Sequence, residues 1–179
     1  MSYFLGIDLG ASSLKASLID AQARQLGVAS AAIASHNPAP GQVEQNPADW
    51  LRALVRALAD LKQGHGQAFA QIDAISFSGG AHIGVLLDAD GEVLRPAIMW
   101  SDQRAGQQAQ ALQKENREAS TANRPNPTWT LPQLIWLQTH EGQLMQKVAR
   151  LTFAKDWLRA QLTQDWQTDI SEAVGAMLA

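Results

Sequence analysis

Asp8 is the first residue of this chain placed to do chemistry. The apolar run Tyr3-Phe4-Leu5-Gly6-Ile7 ends on that carboxylate, and Gly10, Ala11, Ser12 and Ser13 follow before Lys15. A carboxylate at the end of a buried strand loses hydration, and the usual compensation is a metal ion or a ring of backbone N–H groups. Small side chains at 10–13 let backbone N–H groups approach a phosphate. The hydroxyl of Ser12 or Ser13 adds a further partner, and Lys15 adds positive charge. On this reading Asp8 holds Mg²⁺, directly or through water, while Gly10, Ser12, Ser13 and Lys15 hold a polyphosphate. A glycine-containing hairpin whose Asp caps the turn fits the same residues, because short Gly motifs recur by chance.

Two more groups follow. Ser78-Gly79-Gly80-Ala81-His82-Ile83-Gly84 leaves the end of an apolar run, where open α/β sheets place ligands. With Ala81 and glycines around it, His82 can reach a small polar molecule, or it can be a satisfied structural residue in a tight turn. Met99-Trp100-Ser101-Asp102-Gln103-Arg104 sets an indole beside a carboxylate and a guanidinium. Such a set suits a sugar: the ring stacks on C–H faces and the charged groups read hydroxyls. It equally suits a core Trp100, with Ser101 or Asp102 capping the next helix and Arg104 in solvent. Of six Trp, Trp50, Trp136 and Trp157 fall at apolar helical positions, and Trp129 lies in a predicted loop. The scattered histidines 36, 65, 82 and 140 have no zinc-ligand spacing.

These residues need a scaffold. Strands are predicted over 3–8, from Leu14 to Leu18 and from Leu26 to Ile33, with a turn at Asp20 to Ala23; short links make them an antiparallel meander. Asn46 as cap and Pro47 open a helix carrying Trp50, Leu54, Leu58 and Leu61, which Gly64 and Gly66 are expected to end. A buried strand is expected at Ile72–Phe77, a hairpin around Asp90-Gly91, and a short extended piece from Pro96 to Trp100. A weakly packed helix with five outward glutamines is expected from Asp102 to Glu118, then a loop at 123–127. Further helices are expected from Leu131 with Thr130 as cap, over 144–149, and over 155–162. The Asp169 to Ala173 segment reads as a loop or a helix start. Three strands, a helix and a strand make a mixed α/β sheet.

The 179 residues suffice for one domain with a core, and 46% hydrophobic against 17% charged residues marks a globular chain. A net charge of −3 and no basic stripe argue against nucleic acid as partner. Without Cys, disulfides and thiolate metal sites are excluded. No basic leader with an apolar core is present and no apolar run is long enough for a bilayer, so a cytoplasmic protein with no membrane partner is expected. The final stretch from Ala173 to Ala179 is apolar and uncapped, and a longer protein is expected.

Taken in order, the motifs resemble the N-terminal part of the FGGY carbohydrate kinases, most like the xylulokinase branch. Gly6 to Lys15 resembles the first phosphate motif, and Val43-Glu44-Gln45-Asn46-Pro47-Ala48-Asp49-Trp50 the entry to the first helix. His82 with Leu86-Leu87-Asp88 and Gly91 to Arg104 resembles the sugar-facing stretch. Thr128 to Leu134, Ala154 to Leu158 and Thr168 to Ala173 follow in family order. The resemblance implies an actin-like ATPase (ribonuclease H-like) lobe, with an antiparallel three-strand start, a mixed sheet and helices on both faces. It implies that residues 1–179 are one lobe of a two-lobed kinase that uses ATP and Mg²⁺ on a small sugar or polyol; a homodimer is compatible with it. Asp8 then serves the metal, Gly10, Ser12, Ser13 and Lys15 the nucleotide, and Ala81, His82, Trp100, Asp102 and Arg104 the sugar. The catalytic base, an Asp, and the adenosine motif are implied beyond the matched segment, so the chain alone carries no catalytic base.

Two positions depart from the pattern. Gly80-Ala81 stands where the xylulokinase branch carries Gln-Met, and Ser101 where it carries Asn. Smaller residues widen the pocket and remove amide and thioether contacts, so a differently shaped ketopentose, a polyol or a deoxy sugar stands as an alternative to xylulose. Two other classes fit the chain: a sugar-binding module without catalysis, and a metal-dependent nuclease on a related scaffold. The acidic balance disfavours the nuclease.

Overall fold

The computed structural model describes residues 2–115 and 124–178. They group into two compact units, one of 1–34 with 48–80 and the other of 35–47 with 81–179.

In the first unit, β1 (Tyr3–Leu9), β2 (Ser13–Asp20), β3 (Gln25–Ala32) and β5 (Ile72–Gly79) form a four-stranded sheet in the order β3-β2-β1-β5. The first three strands are an antiparallel meander and β5 runs parallel to β1, so the sheet is mixed. Side chains alternate across a strand. Leu5, Ile7 and Leu9 of β1 and Leu14, Ala16 and Leu18 of β2 are accordingly buried, while Phe4, Gly6 and Asp8 are exposed. The turn expected at Asp20 to Ala23 forms: the Asp20 carboxylate accepts from the backbone N–H groups of Gln22 and Arg24 and from the Arg24 guanidinium. These bonds, the Arg24 guanidinium first, hold its pKa below the usual carboxylate value.

Helix α1 (Pro47–Phe69) buries the stripe Trp50, Ala53, Leu54, Ala57 and Leu61. The regular helix breaks where Gly64 and Gly66 are expected to end it: His65 between them has non-helical backbone (φ −138°, ψ 37°), and a second short helical stretch runs on to Phe69. The expected burial of β5 is corrected. Ile75 is 46% exposed: β5 is an edge strand that pairs, among the described residues, only with β1.

The second unit is built from short pieces. β4 (Glu44–Gln45) pairs with β7 (Ala97–Ile98), and β6 (Gly84–Leu87) with β8 (Arg150–Phe153), both antiparallel. The Asp90-Gly91 turn forms, with Gly91 at φ +85° and Asp88 accepting from the N–H groups of Asp90 and Glu92. β8 was not expected; four residues between helices carry no alternation long enough to read. Helix α2 (Gly106–Lys114) starts later than expected and buries Ala105, Ala109 and Leu112. Gln108 does not face out, since its Oε1 is buried. Residues 102–105 and 115 of the expected helix are not helical, and residues 116–118, with residue 123 of the expected loop, lie outside the described residues. Helices α3 (Thr130–His140), α4 (Gly142–Met145), α5 (Ala154–Thr163) and α6 (Ile170–Gly175) complete the unit. Leu86, Ile98 and Leu137 form its core cluster, with Leu94, Leu134 and Leu151 packed against it.

Candidate functional site

β1 and β2 bring Asp8 and the small-residue link together in the first unit. Gly10 donates its N–H to Ser13 O at 3.0 Å, so its amide closes the turn and is not free for a phosphate. A Cβ at Gly10 would meet Ser13 O at 3.0 Å, which explains the glycine. Ser12 O accepts from Ile33 N at 2.8 Å, tying the link to the end of β3. Ala11, Ser12 and Lys15 are exposed and Ser13 is half-buried.

Register places Asp8 opposite Lys15 on β2 and opposite Ser78 on β5. The Ser78 hydroxyl donates to Asp8 Oδ1 at 2.7 Å, and both side chains are exposed. The contact joins residues far apart in sequence and was not expected; the signal was the placement of Ser78 at a strand end. One carboxylate flanked by hydroxyls and a lysine suits Mg²⁺ in its usual mode, where the ion keeps waters and binds one or two carboxylates plus substrate phosphates. Among the described residues no cluster of three acidic or histidine side chains forms an all-protein metal cage. The donor set at Asp8 fits a metal–nucleotide.

In the second unit, Ala81 is exposed and His82 half-buried. His82 has φ +50°, in the left-handed region that non-glycine residues rarely enter. Its N–H donates to Glu172 Oε2 at 2.7 Å and its carbonyl accepts from Thr130 Oγ1 at 2.7 Å. Its ring meets Trp129 edge-on, with centroids 4.4 Å apart. The Trp129 indole N–H is buried and has no partner among the described residues. Thr130 does not cap α3, since its hydroxyl is spent on His82. Asp169 does cap α6, accepting from Glu172 N at 3.1 Å.

Burial lowers the His82 pKa below the usual imidazole value of 6.5. A histidine that is harder to protonate when folded stabilises the fold above its unfolded pKa, and that contribution is lost as pH falls through the folded value. Glu172 opposes it: burial raises its pKa from 4.5, so its charged form costs stability as pH rises. The melting-temperature advantage of wild type over His82→Asn, a residue that tolerates left-handed backbone, is therefore expected to shrink from about pH 7.5 to pH 5.5. A difference that stays constant with pH would contradict it; calorimetry at several pH values measures it.

Trp100 is 51% exposed, the most open indole position for a ligand face. The two charged residues after it behave differently, and the expectation that they face a sugar is corrected. Asp102 is fully buried. Its carboxylate accepts from Val43 N at 2.6 Å, Arg104 N at 2.8 Å, Arg104 Nε at 2.9 Å and Arg104 Nη2 at 2.8 Å. The Arg104 side chain is 3% exposed, pairs with Glu44 at 2.8 Å, and lies 5.1 Å over the Trp136 ring. Arg95 joins the same Glu44 and reaches Glu141 at 3.2 Å. Asp102 and Arg104 thus anchor the segment that presents Trp100, rather than touching a ligand.

The first unit is a mixed sheet with a carboxylate, hydroxyls and a lysine at one strand end, and the second unit carries a half-buried imidazole and an open indole. The profile of the FGGY family of carbohydrate kinases, N-terminal domain, matches residues 3–179, and the chain belongs to that family. A xylulose kinase of Escherichia coli K12 is 33% identical over 176 residues, covering 97% of this chain and 36% of the relative. One from Bacillus subtilis is 35% identical over 181 residues, covering 99% and 36%. The crystal structure of a xylulose kinase from Brucella ovis superposes with TM-score 0.95 at 36% identity, over 98% of this chain and 36% of that one. The fold is therefore that of these sugar kinases, the actin-like ATPase type. The chain spans about a third of the length of the curated relatives it matches. No helix among the described residues is long and apolar enough to cross a membrane.

Proposed function

We propose that this chain serves an ATP-dependent sugar kinase, as the N-terminal part that binds the sugar and one side of the metal–nucleotide. The observation that carries the reading is the exposed Asp8–Ser78 pair beside the small-residue turn, in a chain of this family. In the reaction a sugar hydroxyl oxygen attacks the terminal phosphorus of ATP, the bond to ADP breaks, and the hydroxyl proton passes to a base. Mg²⁺ bound with the nucleotide offsets phosphate charge. Asp8 would hold that ion, with Ser78 fixing the rotamer of its carboxylate. Ser12, Ser13 and Lys15 would meet phosphate oxygens, and Gly10 keeps the turn tight enough for their approach. His82, with exposed Ala81 beside it, and Trp100 would meet the sugar. Such catalysis is mostly positioning and charge neutralisation.

Gly80-Ala81 and Ser101 leave the approach to His82 and Trp100 lined by small groups. This supports a ketopentose or polyol substrate, with xylulose first to test because the relatives named above are xylulose kinases. Titration calorimetry of the chain with xylulose, other ketopentoses and polyols tests binding, and ADP release by the intact kinase tests transfer. Binding without transfer in the intact protein would leave a sugar-binding module; absence of both would overturn the reading. Trp100→Ala is expected to weaken sugar binding about tenfold, the loss of one stacking face. Its melting temperature should stay within about 2 °C, because the ring is already half in solvent. Calorimetry and thermal denaturation of the one variant check both.

A further inference from the structure

Glu172 is 2% exposed, yet one of its carboxylate oxygens is spent on a single backbone N–H, that of His82. A buried carboxylate is costly unless it is paired and hydrogen-bonded. Here it is anchored from both sides. Its own N–H is capped by Asp169, and Lys155 Nζ lies 3.6 Å from Oε1. Lys155 also bonds Asp156 at 2.9 Å and Asp169 at 2.8 Å, and Thr168 Oγ1 donates to Asp156 at 2.7 Å. Lys155 holds the Asp169 carboxyl well below the usual range, so the cap stays charged. A helix as short as α6 has no stability of its own; this network fixes it in place.

The residue held by that carboxylate is strained. Left-handed backbone costs a non-glycine residue about 1–2 kcal/mol. Glu172 holds the His82 N–H, Thr130 holds its carbonyl, and Trp129 lies against its ring. The imidazole is fixed as well. Nδ1 lies 2.6 Å from Ala81 O. A carbonyl only accepts, so Nδ1 carries the proton and Nε2 of the neutral ring is an acceptor.

We infer that Glu172 is a positioning residue for ligand recognition: it holds His82 in its left-handed conformation, so that Nε2 is presented as the acceptor for a hydroxyl of the bound sugar. The inference rests on the proposed sugar site at His82. It gives Glu172, a buried side chain, a share in affinity through the backbone of another residue.

The test uses the ¹⁵N-labelled chain, with xylulose as probe. In wild type above pH 7.5, the His82 ring nitrogens should report one tautomer, protonated at Nδ1. Glu172→Ala should average the two tautomers and raise the xylulose Kd about tenfold, the loss of one oriented hydrogen bond to the sugar. Glu172→Gln keeps an amide oxygen for the His82 N–H and should hold the tautomer and a Kd within about threefold of wild type. Thr130→Val removes the other backbone tether and should shift the same resonances in the same direction. A folded Glu172→Ala chain with wild-type His82 resonances overturns the inference, as does an equal loss of affinity in the Ala and Gln variants. Failure of both Glu172→Ala and Thr130→Val to fold would make these residues fold elements only, and overturns it too. A wild-type chain that binds no ketopentose or polyol removes the sugar-site reading and with it the ligand half of the inference. The tautomer measurement still decides the positioning half independently.

Discussion

Asp8→Asn in an intact kinase carrying this chain is expected to lower kcat about 100-fold or more, with the sugar KM changed less than about threefold. The asymmetry follows from what the substitution keeps. Asn is nearly isosteric with Asp, and its Oδ1 can still accept the Ser78 hydroxyl that now bonds Asp8. The strand pairing on both sides is backbone and is untouched. Asp8 is exposed, so fold stability should change little. What disappears is one negative charge where a hard cation needs an anionic oxygen. Sugar contacts are assigned to His82 and Trp100, in the other unit, and should persist. Coupled assays at saturating and limiting sugar separate kcat from KM. A variant that keeps a third or more of wild-type turnover would remove Asp8 from the metal site.

Local features were legible in the chain, and contacts across long sequence separations were not. The apolar run from Tyr3 to Ile7 gave β1, and its end located Asp8; the alternation of Leu14, Ala16 and Leu18 gave β2. Asp90-Gly91 gave a turn because few residues accept φ near +85°. The apolar stripe from Trp50 to Leu61 gave α1, and Gly64 and Gly66 marked the break at His65, but nothing marked the short helical stretch that follows it to Phe69. The Ser78–Asp8 bond spans 70 residues, Val43–Asp102 spans 59 and Glu172–His82 spans 90. No periodicity encodes such pairs; they depend on which strands and helices come together. Family resemblance named His82 without explaining how it is held. The same resemblance misplaced Asp102, since a carboxylate beside an indole reads alike whether it faces a sugar or a buried guanidinium.

That distinction has a large energetic consequence. Asp102→Ala is expected to destabilise the chain by about 3–5 kcal/mol, the range for removing one partner of a buried ion pair. The carboxylate is fully buried and serves four donors. Its loss would leave the N–H groups of Val43 and Arg104 without an acceptor, and the almost fully buried Arg104 guanidinium with Glu44 alone, which Arg95 already shares. Unsatisfied buried donors cost about 1–3 kcal/mol each when nothing relaxes to meet them. Asp102→Ala with Arg104→Leu should recover part of the loss, because the double variant no longer buries an unpaired cation. A sugar-binding aspartate would behave oppositely. Its replacement would abolish affinity and leave the denaturation midpoint in place, and relieving the charge at 104 would rescue nothing. Urea denaturation of the single and double variants, with xylulose titration of whichever remain folded, separates the two roles. If Asp102→Ala unfolds at the wild-type midpoint and binds no sugar, Asp102 belongs with His82 and Trp100 after all.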